Sequence, residues 1–153
     1  MSRRIAVRAI IYRDDKLFGV RHRANNSTGK DFWCTPGGGL DDGESLIDGA
    51  RREILEETGV NADIGRLLFI QQYSHTPEDA HDYDEFLEFF FEVTNVDDFD
   101  AIDLAQTSHG QAELAEFGWV DPRAVTFLPR FIQEVDFKSA MNQSTPLIVS
   151  VEL

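Results

Sequence analysis

Apolar positions fall in short stretches along the chain, and each stretch predicts an element. Residues 5–12, rich in Val and Ile, predict a buried strand. Asp14-Asp15 predicts a turn, and residues 17–23 the returning strand, with Leu17 and Val20 apolar and Arg21 and Arg23 polar. Residues 24–31 are loop-like, and residues 32–35 predict a short strand. Pro36-Gly37-Gly38-Gly39 is expected to break any regular element. The period then changes from two to between three and four. Ile47, Ala50 and Ile54 recur at helical spacing, which predicts a helix over 44–58 with those three facing a core. Gly59 stands where a C-terminal cap belongs. Residues 66–73 and 86–93 predict two more strands around an acidic, His-containing loop over 74–84. Residues 117–120 predict a short strand, and Asp121-Pro122 a helix start. A further helix is expected over 131–141 and an edge strand over 147–151. Strands on both sides of a central helix, in mixed order, predict an α/β sandwich around a mixed sheet. No repeat or long linker divides residues 1–153, so a single domain is expected.

Composition adds two constraints. Twelve Phe in 153 residues supply enough aromatic area for one compact core. The formal net charge of −14, with no cluster of Lys and Arg, excludes tight non-specific binding to a nucleic acid polymer. Arg3 and Arg4 read as a solvated end. An acidic protein still binds a small polyanion when dications lie between the two. The single cysteine, Cys34, excludes an intrachain disulfide, and no apolar run approaches the roughly 20 residues of a membrane span. With no apolar leader segment at the N-terminus, a cytoplasmic protein with no membrane partner is expected.

The chemistry concentrates in residues 38–60. Glu53, Glu56 and Glu57 are spaced i, i+3 and i+4, so a helix sets them side by side, next to the predicted core stripe. Like charges this close repel, and the helix C-terminus adds to the cost. A hard dication with oxygen ligands is the natural offset, and Mg²⁺ commonly takes one or two carboxylates plus substrate phosphates. Gly37, Gly38 and Gly39 allow close approach of a ligand or another segment. Glu44 lies at the predicted helix start, where the dipole favours it. Arg52 is placed to hold a neighbouring carboxylate by a bidentate pair.

The segment resembles the Nudix box, Gly-x5-Glu-x7-Arg-Glu-U-x-Glu-Glu-x-Gly-U, where U is a bulky aliphatic residue. Gly38, Glu44, Arg52, Glu53, Ile54, Glu56, Glu57, Gly59 and Val60 fill its nine specified positions. Trp33 and Pro36-Gly37 resemble the usual lead-in. The resemblance implies a Nudix-type α/β/α sandwich around a mixed sheet. It also implies Mg²⁺-dependent (Mn²⁺ is the alternative ion) hydrolysis of a nucleoside diphosphate linked to another moiety. Carried over, Glu53, Glu56 and Glu57 would be metal ligands. Glu44 and Arg52 would support the geometry, with Glu44 reaching the metal through water. The general base would be Glu53 or Glu57, or the later acids Glu113 and Glu116. Gly38 would serve the turn into the helix.

Several residues carry two readings. Arg21 and Arg23 share a strand face and are candidates to bind substrate phosphate; a solvated face is the alternative. Phe32 and Trp33 could stack on a base or pack inside. His75 and His81, with Asp79, Asp82 and Asp84, match no zinc spacing, so a loop that helps choose the substrate is the better reading. His109 reads as a loop residue. Two other functions compete with hydrolysis. A non-catalytic nucleotide-binding module is expected to have a degenerate box, and this box is intact. An isoprenoid diphosphate isomerase would need a nucleophilic cysteine, and Cys34 beside the Gly turn looks structural. The expected partner is a small nucleotide, with a homodimer open through the last edge strand.

Overall fold

The computed structural model describes residues 2–23, 31–74 and 83–150. Strand β1 (Arg3–Ile10) joins the elements around the site. It pairs parallel with β7 (Glu85–Val93) and antiparallel with β5 (Gly37–Gly39). Outside β7 come β6 (Ile64–Ser74), antiparallel to it, and β10 (Leu147–Ser150), parallel to β6. This first sheet therefore runs β10-β6-β7-β1-β5 and is mixed, as the sequence predicts. A second sheet is built on β3 (Lys16–His22), which pairs with β2 (Tyr12–Arg13), β4 (Trp33–Cys34) and β8 (Leu114–Val120). Strand β9 (Phe127–Leu128) runs parallel to β4.

Alternation along β1 feeds two cores. Ile10 packs with Leu17, Phe69, Phe90 and Phe127 on one side; Ala9 and Ile11 pack with Phe18, Val20 and Ile54 on the other. Strands buried on both faces read as near-continuous apolar runs, which is why residues 5–12 and 86–93 are so legible. The helix α1 (Leu46–Thr58) lies against β5 and β1 through Ala50 and Ile54. Ser45 caps its start by accepting the Asp48 N–H. Gly59 ends it in the left-handed region, donating its N–H to the Leu55 carbonyl.

Four expectations need correction. Pro36–Gly39 is not a break: Gly37–Gly39 is a strand, because a ladder is made by backbone groups and glycine has both. Ile47 is 41% exposed; Leu46, at i−4 from Ala50 and i−8 from Ile54, continues the apolar stripe instead. Asp121-Pro122 starts no helix. The Asp121 carboxylate accepts the Arg123 N–H in a turn, and the chain must soon extend so that Phe127 enters the core. Residues 131–141 form two pieces, a 3-10 turn (Arg130–Glu134) and the short helix α3 (Phe137–Ala140). The division falls at Asp136, which accepts the Ser139 N–H as the N-cap of the second piece. One further short helix, α2 (Gly110–Glu113), had no apolar period to announce it. Among the described residues no helix is long and apolar enough to cross a membrane.

Candidate active site

Where α1, β1, β3 and β5 meet, a cleft of about 550 Å³ opens, a size suited to a small-molecule ligand. The box residues form one wall. Arg52 organises them: Nε and Nη2 donate to the two oxygens of Glu44 at 2.8 and 3.0 Å. Its Nη1 donates to Glu53 at 3.0 Å and Glu56 at 3.2 Å, and Nη2 also reaches the Gly39 carbonyl at 3.0 Å. A planar five-donor fork is the side chain that can serve four acceptor groups at once. Glu44 lies just before the helix, where it also accepts the Asp41 N–H. These bonds hold its carboxyl below the usual range, first through Arg52 and then through the Asp41 N–H. Both Glu44 oxygens are thus engaged, and Glu44 is not among the residues lining the cleft. Its place in the structure is that of a buttress for Arg52. Glu53 passes so close to β5 that a Cβ on Gly38 would lie 2.5 Å from its carboxylate. The glycine at the head of the box is required by that approach.

Glu57 is different. It points inward and is 2% exposed. Its single hydrogen bond among the described residues is a long one, 3.4 Å, from the Gly37 N–H to Oε2. Burial pushes its carboxyl up to about 8, although Arg8 pulls the other way. Glu53 is also raised by burial, with Arg52 opposing. Across the cleft, Arg8 donates to Glu88 at 3.3 Å and to the Gly37 carbonyl at 3.3 Å. His22 Nε2 lies 3.9 Å from Glu57 Oε1. Its imidazole is held below its ordinary value by burial and then by Arg8, with Glu113 opposing.

The lining holds five acids, Asp41, Glu53, Glu56, Glu57 and Glu113, against three arginines, Arg4, Arg8 and Arg52. Two of those arginines already face acids outside the lining, Arg8 on Glu88 and Arg52 on Glu44. The cleft is therefore more negative than the count suggests. Its donors are carboxylate oxygens of the kind a hard dication takes. Glu57, buried and barely bonded, holds its proton up to about pH 8 and needs such a partner to ionise below that.

The loop before β8 completes the site. The His109 N–H donates to the Glu56 carbonyl at 3.0 Å, and His109 Nδ1 lies 3.1 Å from the Glu56 carboxylate. Gly110 then seats so tightly that a Cβ there would overlap the Glu57 carbonyl oxygen. That contact delivers Glu113 to the cleft. Gly110→Ala is expected to destabilise the protein by about 2–3 kcal/mol, and to lower activity by displacing Glu113. Urea unfolding measures the first effect. An unchanged midpoint would show that the loop does not seat on α1 in this way.

The structure does not bring every candidate together. Arg21 pairs with Asp31 and Glu116, and Arg23 donates to the Gln111 carbonyl; neither arginine lines the cleft. Glu116 lies with Arg21 rather than at the site, whereas Glu113 lies in it. Phe32 and Trp33 pack against the two cores. His75, His81, Asp79 and Asp82 lie outside the described residues. Cys34 is buried, and burial raises its thiol to about 12, so it is no nucleophile. Five lining residues escaped sequence reasoning: Arg4, Arg8, His22, Asp41 and His109. Alternation held a usable signal for three. The period that puts Arg21 and Arg23 on one face puts His22 on the other, and Arg4 and Arg8 share a face of β1. Arg4 is not a solvated end: its guanidinium lies 5.4 Å from the centre of the Tyr83 ring, at the rim of the cleft.

An α/β fold that presents Glu53, Glu56 and Glu57 from one loop–helix–loop to a cleft of small-molecule size defines a class of proteins with a carboxylate-walled site. The family profile described as NUDIX domain matches residues 2–141, and the chain belongs to this family. Phosphatase NudJ of Escherichia coli K12 is 30% identical over 89 residues, which cover 58% of this chain and 53% of NudJ. Nudix hydrolase 2 of Arabidopsis thaliana is 31% identical over 72 residues, 46% of this chain and 26% of that protein. The chain thus spans about half the length of NudJ and a quarter of the Arabidopsis protein. Among solved structures, the E. coli ORF135 protein superposes with a TM-score of 0.67 at 19% identity, covering 95% of this chain and 96% of that one. This likeness shows the fold.

Proposed function

We propose that the protein hydrolyses a phosphoanhydride bond in a nucleoside diphosphate linked to another moiety, using Mg²⁺ or Mn²⁺. One observation carries the reading: Glu57 is buried with a single long hydrogen bond among the described residues, inside a cleft walled by Glu53, Glu56 and Glu113, and the pull of Arg8 does not offset its burial. Glu53, Glu56 and Glu57 would hold the ion, and Glu44 acts on it only through Arg52. When bound, the ion supplies charge neutralisation of the phosphate oxygens and acidifies a water molecule. The chain's own residues do the rest. Arg8 and Arg4 face the diphosphate from β1, and Arg52 keeps Glu53 in place. Glu53, Glu57 or Glu113 takes the proton of the attacking water, whose oxygen bonds to phosphorus as the bridging P–O bond breaks. The bridging oxygen leaves on the departing phosphate. Glu116 drops out as a base because it lies with Arg21. Gly38 serves the site by making room for Glu53.

The same proposal includes a cytoplasmic location, one domain over the whole chain, and a homodimer through β10. Support for the last is that Ile148 on this edge strand is 75% exposed. The substrate is tested by a screen of ADP-ribose, nucleoside triphosphates, dinucleoside polyphosphates and nucleotide sugars with Mg²⁺. Identification of products made in ¹⁸O-water shows which phosphorus is attacked. We expect turnover of at least one class that stops when EDTA is added. No turnover of any class by folded, Mg²⁺-supplied protein would favour a binding module.

A further inference from the structure

The box acids do not exhaust the metal-binding groups of the cleft. His22 on β3, Glu57 on α1 and Glu113 on α2 each offer one ligand atom, and these three atoms lie within 4.8 Å of one another. Ligand atoms around one ion at about 2.1 Å lie roughly 3–4 Å apart, so side-chain shifts of about an ångström close the set. A second observation points to a ligand here. Glu57 is nine-tenths buried and more, and its Oε1 accepts no hydrogen bond among the described residues. That oxygen faces His22 at 3.9 Å, on the side of the carboxylate away from Gly37. The Glu113 carboxylate has no hydrogen bond or ion pair among the described residues either. Three elements far apart in sequence converge on one point.

We propose that His22, Glu57 and Glu113 form a mixed nitrogen and oxygen dication site beside the box acids, one that selects a transition ion such as Mn²⁺ over Mg²⁺. Imidazole is the reason for the selectivity. Mg²⁺ demands hard oxygen ligands in near-ideal octahedral geometry, whereas first-row transition ions accept imidazole readily. Glu57, with one oxygen toward the Gly37 N–H and the other toward His22, is the carboxylate the two groups share. The inference rests on the reading of the cleft as a dication site and adds a ligand that the box does not contain.

The test uses the full chain and Mn²⁺ as its own probe. Electron spin echo modulation detects ¹⁴N coupled to bound Mn²⁺. We expect a ¹⁴N imidazole signal in the wild type, lost in His22→Gln and kept in His109→Gln. The second variant matters because His109 is the other imidazole in the cleft. Competition titrations are expected to show Mn²⁺ favoured over Mg²⁺, with the ratio falling at least about tenfold in His22→Gln. Mn²⁺ bound with no ¹⁴N signal, or a signal lost in His109→Gln instead, would overturn this site and leave the box acids as the metal centre. No Mn²⁺ uptake at all would overturn both.

Discussion

Replacing Glu57 by Gln lowers turnover by about three orders of magnitude, on the scale of losing a charged group at a reacting phosphate, and leaves the fold intact. The fold survives because Gln is isosteric and its carbonyl can still accept the Gly37 N–H. The rate does not, because an amide cannot give up a proton to become the anionic ligand that a dication would take. A stability signature accompanies the loss. Burial lifts the Glu57 carboxyl from its ordinary 4.5 to about 8, so between these values the folded chain holds a proton that the unfolded chain has released. Stability from this group is complete below about pH 4.5 and is lost as pH rises through 8. In EDTA, the wild type should therefore weaken between pH 5 and 8.5, and Glu57→Gln should weaken less. Thermal melts at the two pH values measure this. A variant with wild-type turnover and a wild-type pH slope would remove Glu57 from the site.

Arg52→Lys is expected to be nearly as damaging, despite keeping the charge. The guanidinium reaches Glu44, Glu53, Glu56 and the Gly39 carbonyl together. An ammonium has three donors on one atom and cannot span these acceptors. Glu44, whose side chain is 15% exposed, would lose its bidentate partner. A loss of about 2 kcal/mol follows from leaving a largely buried carboxylate poorly paired, with a fall in kcat of about a hundredfold as Glu53 drifts from place. Urea unfolding and steady-state kinetics check the two halves. If Arg52→Lys matched the wild type in both, the fork geometry would be irrelevant and only charge would matter.

What the sequence disclosed and what it hid divide along a physical line. The box was legible because its geometry is local. A helix fixes Glu53, Glu56 and Glu57 by spacing alone, and Gly59 ends it by a conformational rule. The buried strands were legible because both faces are apolar. The strand over Gly37–Gly39 was not, since its pairing with β1 uses backbone groups that carry no sequence signature. Glu113 and His22 could not be assigned to one point because β3 meets β8 across nearly a hundred residues. Glu113 was a candidate beside Glu116, but only the seat of Gly110 on α1 decides between them. Alternation set Arg21 and Arg23 on one face of β3 and His22 on the other. Which strand face meets α1, however, is a tertiary fact. Glu44 was expected to support the geometry and to reach a metal through water; position in the box says nothing of how completely Arg52 engages it.

If the acidic wall of the cleft, with Glu57 inside it, is a dication site, the protein takes up such an ion without substrate. Isothermal titration of Mn²⁺ into EDTA-stripped, dialysed protein tests it most directly, at pH 6 and at pH 8.5. We expect uptake that tightens at the higher pH, as the ion displaces the Glu57 proton, and at least about tenfold weaker uptake in Glu57→Gln. Absence of uptake at either pH, with or without a nucleotide present, would contradict it.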